Sequence, residues 1–154
     1  MGGIVEVFKH GPITYPVGAA ITGGQFVMPG SGGTAGKVIP ATADTLTALG
    51  LALTDAAPEP SVPTASSLAI DIHIPRGDVA VAHHGVFRIK AVGAIAFGAY
   101  VSVATGGLVK TLAAAGATYD EDEVNFNTRG VVGICVEPLG IADTARGKIR
   151  LKLS

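Results

Sequence analysis

The stretch Lys148-Ile149-Arg150-Leu151-Lys152-Leu153 alternates charged and aliphatic side chains without a break. Ile149, Leu151 and Leu153 therefore face one way and Lys148, Arg150 and Lys152 the other, which is the period of a half-buried strand. The same period returns at residues 86–91, where Phe87, Ile89 and Ala91 oppose Val86, Arg88 and Lys90. It returns again at residues 68–74, where Leu68, Ile70, Ile72 and Ile74 oppose Ala69, Asp71 and His73 until Pro75 ends the run. Val131-Val132-Gly133-Ile134-Cys135-Val136 is apolar on both faces, as a central strand covered on both sides must be, and residues 49–53 read alike. Gly and Pro, 22 and 9 of the 154 residues, punctuate these runs at short intervals. Helix is expected only as a short turn over residues 41–49, with Thr42 or Asp44 as its cap. The pattern predicts an all-β fold: a small barrel- or sandwich-like domain of short antiparallel strands with long Gly/Pro-rich loops.

An internal echo divides the chain. Ala20-Ile21-Thr22-Gly23-Gly24-Gln25-Phe26-Val27 aligns with Ala94-Ile95-Ala96-Phe97-Gly98-Ala99-Tyr100-Val101. In the same order, Gly36-Lys37-Val38 aligns with Gly107-Leu108-Val109, and Leu49-Gly50-Leu51-Ala52-Leu53 with Val132-Gly133-Ile134-Cys135-Val136. Each unit holds a Gly-bounded turn, a strand with one aromatic, a Gly-rich reversal, and an apolar strand with Gly inside it. Two pseudo-repeated halves, intertwined as half-barrels, are the expectation. Residues 29–36, 55–67 and 113–129 break the pattern and read as loops, the second stiffened by Pro58, Pro60 and Pro63. The domain reading is an N-terminal arm or edge strand over residues 1–16 and a single β-rich domain over residues 17–154.

Composition narrows the function. Eleven Lys+Arg against 12 Asp+Glu leave a net charge of −1, which supplies no global field to gather nucleic acid or an anionic membrane. Mean hydropathy is +0.49, yet no run of 18 apolar residues is free of Gly, Pro, Thr or charge, so no membrane helix is expected. The opening residues lack a basic segment followed by a continuous apolar core, so no secretory signal is expected. A charge-poor, aliphatic chain of this size is expected to hide surface against other subunits.

Candidate chemistry fails on spacing. Residues 30–38 look like a phosphate loop, but Ser31 stands where its first Gly belongs and Val38 where its hydroxyl residue belongs; a hairpin loop is expected instead. His83 and His84 are adjacent, so on a strand their rings diverge, and neither Cys, Asp nor Glu supplies a third ligand at a recognisable spacing. Cys135, the one cysteine, lies in the most apolar strand and reads as a packed core thiol. Asp120-Glu121-Asp122-Glu123 lacks the ligand alternation of a calcium loop and reads as a solvated acidic loop. Arg76-Gly77-Asp78, an adhesion tripeptide in other settings, reads as a turn after Pro75. Lys148, Arg150 and Lys152 form a basic stripe with Arg88 and Lys90 as candidate neighbours and no aromatic interleaved, suited to an acidic patch on a partner. No catalytic residue, cofactor or metal is expected, and the chain is not read as an enzyme.

Several blocks together resemble the small capsid decoration (cement) proteins of tailed bacteriophages. They are GGQFVMPG, LGLALTDAA, GVFRIKAVGAIAFGAYVSVATGGLV and RGVVGICVEPLGIADTARGKIRLKL, and the resemblance spans residues 17–154. It implies a structural subunit, commonly a homotrimer, made in the host cytoplasm. Such a subunit sits on the outer surface of the virion capsid and bridges neighbouring major capsid proteins, with no direct nucleic-acid or membrane contact. The residues expected to carry partner binding are Ile4, Val5, Val7 and Phe8, as an edge-on strand, and Pro58, Pro60 and Pro63, as a loop whose Pro content lowers its ordering cost. The alternative reading is a β-barrel ligand- or glycan-binding accessory module of a phage virion, which needs aromatics gathered in one concavity.

Overall fold

The computed structural model describes residues 11–58, 77–112 and 130–152. Over these the fold is all-β, with two short 3-10 turns as its helical content. Strands β1 (Ile13–Pro16), β2 (Phe26–Pro29), β3 (Val38–Pro40), β4 (Gly50–Ala52) and β5 (Asp78–Ala82) form one antiparallel sheet in the order β1-β5-β4-β2-β3. Strands β6 (Val86–Lys90), β7 (Tyr100–Val103), β8 (Val109–Thr111), β9 (Gly133–Cys135) and β10 (Arg146–Leu151) form the other in the order β6-β10-β9-β7-β8. Adding five to every label of the first sheet yields the second, so the halves share one topology.

The duplication holds residue by residue. Gly24 N–H donates to Ala52 O as Gly98 N–H does to Cys135 O, and Ala52 N–H donates to Gln25 O as Cys135 N–H does to Ala99 O. Leu49 N–H to Val27 O corresponds to Val132 N–H to Val101 O, and the Ile21–Ala56 bridge corresponds to Ile95–Ile141. These are the alignments expected from the sequence echo, with the longer reversal of residues 30–37 answered by the shorter one of residues 104–108. Gly50 and Gly133 also correspond. A Cβ on Gly50 would lie 2.5 Å from Ala82 O, and one on Gly133 would lie 2.6 Å from Arg150 O. Glycine is retained in both central strands because the neighbouring backbone occupies the side-chain space.

Each half curls around its own apolar face. In the first half Val17, Ile21, Val27, Val38, Ala52, Ala56, Val79 and Val81 form a buried cluster. The counterparts in the second half include Ala91, Ile95, Val101, Val109, Cys135, Ile141 and Ile149. A single parallel bridge, Val17–Val38 in one half and Ala91–Val109 in the other, brings the two edges of each sheet together at one corner. The sheets stay otherwise open, so the expected intertwined half-barrels are instead two separate five-stranded sheets in a sandwich-like domain.

The central-strand readings of residues 49–53 and 131–136 hold, since β4 and β9 each occupy the middle of their sheets. The alternation at residues 86–91 and 148–152 holds too, with Ile89, Ala91, Ile149 and Leu151 buried and Arg88, Lys90, Lys148 and Arg150 exposed. Residues 30–37 form the β2–β3 hairpin connection, with a 3-10 turn at Gly32–Thr34. Residues 41–49 carry turns rather than the expected helical turn. Asp44 takes φ 57°, outside the helical region, and the hydroxyls of Thr42 and Thr45 go to the Met28 sulfur at 3.8 and 3.6 Å instead of capping a helix. The strand read at residues 68–74 lies outside the described residues.

Candidate interaction surface

The halves meet through unlike surfaces. Gly107, in the β7–β8 turn, sits against the backbone of β2: a Cβ there would lie 2.6 Å from Phe26 O and 3.0 Å from the Gln25 Cβ. Asp44 N–H donates to Val103 O at 3.0 Å, and the Lys110 ammonium donates to the Asp44 carboxylate at 2.7 Å. Phe26, Ala41 and Leu51 of the first half thus join the apolar cluster of the second, with Met28 and Ala48 packed on its margin. The counterpart surfaces are not used this way. Gly36, the counterpart of Gly107, has no described heavy atom within 4 Å of its Cβ position. Tyr100, the counterpart of Phe26, is 47% exposed where Phe26 is 0% exposed. Ile134, the counterpart of Leu51, is half-buried where Leu51 is buried.

A second feature is the outward face of the β6–β10 pair. The register sets Arg146 opposite Lys90, Lys148 opposite Arg88 and Arg150 opposite Val86, then carries the last row on through Ile134 to Tyr100. Lys152, one residue past β10, places its ammonium 5.3 Å from the centre of the Tyr100 ring. The sequence reading of a basic stripe flanked by Arg88 and Lys90 is therefore realised as a two-strand patch. Its claim that no aromatic is interleaved is corrected, because the fold brings Tyr100 of β7, distant in sequence, under Lys152. The described carboxylate hydrogen-bonded to this ladder is Glu137, which accepts the Lys148 backbone N–H at 3.2 Å.

Apolar side chains crowd one end of the second half. The Ile95–Ile141 bridge is buried, and two residues outward on each limb stand Phe97, 63% exposed, and Leu139, 99% exposed. Exposed aliphatic and aromatic side chains at a turn are surface that a partner covers in many interfaces.

Of the residues expected to bind partners, Pro58 is described and half-buried, two positions beyond the Ala56 bridge. Ile4, Val5, Val7, Phe8, Pro60 and Pro63 lie outside the described residues, as do Asp120, Glu121, Asp122, Glu123 and Arg76. Gly77 forms a bend and Asp78 opens β5 opposite Pro16. His84 is exposed, whereas the His83 ring meets Tyr15 edge-on at 6.5 Å and has its Nε2 enclosed with no hydrogen-bond partner among the described residues. Cys135 is fully buried in the second core, as its apolar strand predicts. Among the described residues no three His, Cys, Asp or Glu side chains group as metal ligands. Sequence reasoning missed the contact between unlike surfaces, and only the differing character of Phe26 and Tyr100 at matched positions hinted at it.

No protein-family model matches this chain, and no curated protein matches it in sequence. Its fold is similar to that of a solved structure, the head fiber gp8.5 N base in bacteriophage phi29, with a TM-score of 0.55 and 12% identity over 92% of each chain. The all-β arrangement of this chain is thus similar, over nearly the full length of both, to the base of a phage head fiber.

Proposed function

We propose that this protein is a structural component of a bacteriophage head: a decoration protein that binds the outer surface of the capsid as a homotrimer and bridges neighbouring major capsid proteins. It acts through binding, not as an enzyme, and makes no direct contact with nucleic acid or membrane. The observation that carries the reading is the likeness in fold, across 92% of both chains, to the head fiber gp8.5 N base of bacteriophage phi29.

The contact between the halves supports the self-association. It joins the β7–β8 turn of one unit to the β2 face of the other, and it leaves Gly36 and Tyr100, the matching elements, exposed. Repeating that contact between copies makes a heterologous interface, which closes into a ring where the rotation permits. Several modest contacts per trimer then act together, so each capsid contact needs only weak intrinsic affinity. Two measurements test the reading. Sedimentation equilibrium should give three times the chain mass, and the protein should pellet with phage heads that lack it. A monomer at about 50 μM, well above the ~1 μM range of ordinary specific contacts, overturns the trimer. Failure to pellet with heads overturns the decoration role.

A further inference from the structure

We propose that the β6–β10 face is a docking surface for an acidic protein surface. The proposal rests on the decoration reading above and names the chemistry by which that protein would meet its shell. Arg88, Lys90, Arg146, Lys148, Arg150 and Lys152 supply six of the 11 Lys and Arg residues of the chain, all exposed on one pair of neighbouring strands and the residue that follows it. Two of the cross-strand positions, Arg146–Lys90 and Lys148–Arg88, set like charges directly opposite one another. Side chains so placed have Cβ atoms about 5 Å apart, and like charges there destabilise a sheet.

The fold itself does not call for these charges. The first half builds the same strand pair with Thr14 and Pro16 on β1 and Asp78, Ala80 and Ala82 on β5, at the positions matching Arg88, Lys90, Arg146, Lys148 and Arg150. Among the described residues the single ion pair is Lys110 with Asp44, which is not part of this face. An anionic partner is what offsets the repulsion. The face favours protein over nucleic acid because exposed Val86 and half-buried Ile134 flank Arg150 in one row, and a mixed apolar and cationic plane suits a protein interface. Tyr100, at the far end of that row, is a single ring with the Lys152 ammonium over it, where single strands are bound by stacking successive bases on several aromatics. Among the described residues four of the five carboxylates are engaged, Asp44 with Lys110, Asp55 with Gly23 N–H, Asp143 with Gly93 N–H and Glu137 with Lys148 N–H, and the oligomer measurement below separates a second copy of the chain from a foreign acidic surface.

The test compares the wild-type chain with the triple variants Arg88→Glu/Lys148→Glu/Arg150→Glu and Arg88→Gln/Lys148→Gln/Arg150→Gln. Retention on poly-glutamate beads should be strong for wild type at low salt, fall steeply with added salt, and drop by roughly tenfold or more in both variants. Binding to heads should fall in parallel, while the sedimenting mass stays as in wild type and the glutamine variant, relieved of the Arg88–Lys148 repulsion, melts no lower than wild type. Wild type that ignores poly-glutamate overturns the docking surface, whatever it does with heads. Wild type that binds poly-glutamate but not heads overturns the decoration role and leaves the acidic-surface assignment standing. Variants that bind heads as wild type overturn the assignment and leave the role standing. Loss of the oligomer in the glutamine variant makes the face a contact between copies, and tight binding of a DNA oligonucleotide that both variants lose makes it a nucleic-acid site; either result overturns the proposal.

Discussion

Phe26 and Tyr100 occupy matching positions in duplicated halves, yet one is enclosed and the other half in solvent, at 0% and 47% exposure. Their truncation should therefore cost very different amounts. Phe26→Ala removes a fully buried ring from the apolar cluster that joins the halves, a change that costs about 3–5 kcal/mol in close-packed cores. For a chain of this length each kcal/mol moves the midpoint by about 2–4 °C, so Phe26→Ala should melt roughly 6–20 °C below wild type. Tyr100→Ala gives up a half-exposed ring and the Lys152 ammonium above it, a contact worth about 0.5–1 kcal/mol at exposed sites, and should melt within about 4 °C of wild type. Its main effect should be on self-association, seen as a smaller sedimenting species at low micromolar concentration. Thermal and urea unfolding followed by circular dichroism, at concentrations where all three proteins share one oligomeric state, measures both costs. Equal losses from the two substitutions would refute the reasoning, because Tyr100 would then be as enclosed in solution as Phe26.

Three further outcomes follow from the packing. Gly50→Ala and Gly133→Ala should each lower stability by about 1–3 kcal/mol in urea melts, because the added methyl meets the Ala82 or Arg150 carbonyl, whereas Gly33→Ala, with open space around it, should be neutral or slightly stabilising. A double-mutant cycle on Asp44 and Lys110 should yield a coupling of no more than about 1 kcal/mol that shrinks with salt, since the side chains are 40% and 36% exposed. Cys135 should resist a thiol-reactive dye in the native protein and react in urea, at a rate that tracks opening of the second core.

Much of this fold was legible because a strand records its own burial in a period of two. Arg88, Lys90, Lys148 and Arg150 fall on one side of their strands and Ile89, Ile149 and Leu151 on the other, whatever the strands pair with. The internal echo was legible for a related reason: Gly50 and Gly133 stand where no side chain fits, and that constraint leaves the same letter at both places. The helical turn read at residues 41–49 failed because Thr42 and Asp44 are capping residues only when a helix follows. Here the Thr42 hydroxyl reaches Met28 and the Asp44 carboxylate reaches Lys110.

The candidate surface was legible only in part. Alternation alone marks Lys148, Arg150 and Lys152 as a stripe, but that Arg88 stands opposite Lys148, and that Tyr100 lies beneath Lys152, depends on which strands become neighbours. Local spacing thus determined the strands, their buried sides and the twofold repetition of the unit. Tertiary structure decided that the sheets stay open and that like halves join through unlike surfaces. It also placed the cations of two distant strands side by side. The physical reason is range: the period of a strand is set by neighbours two residues away, whereas pairing and packing are set by contacts between residues tens of positions apart, whose energies no local run of letters records.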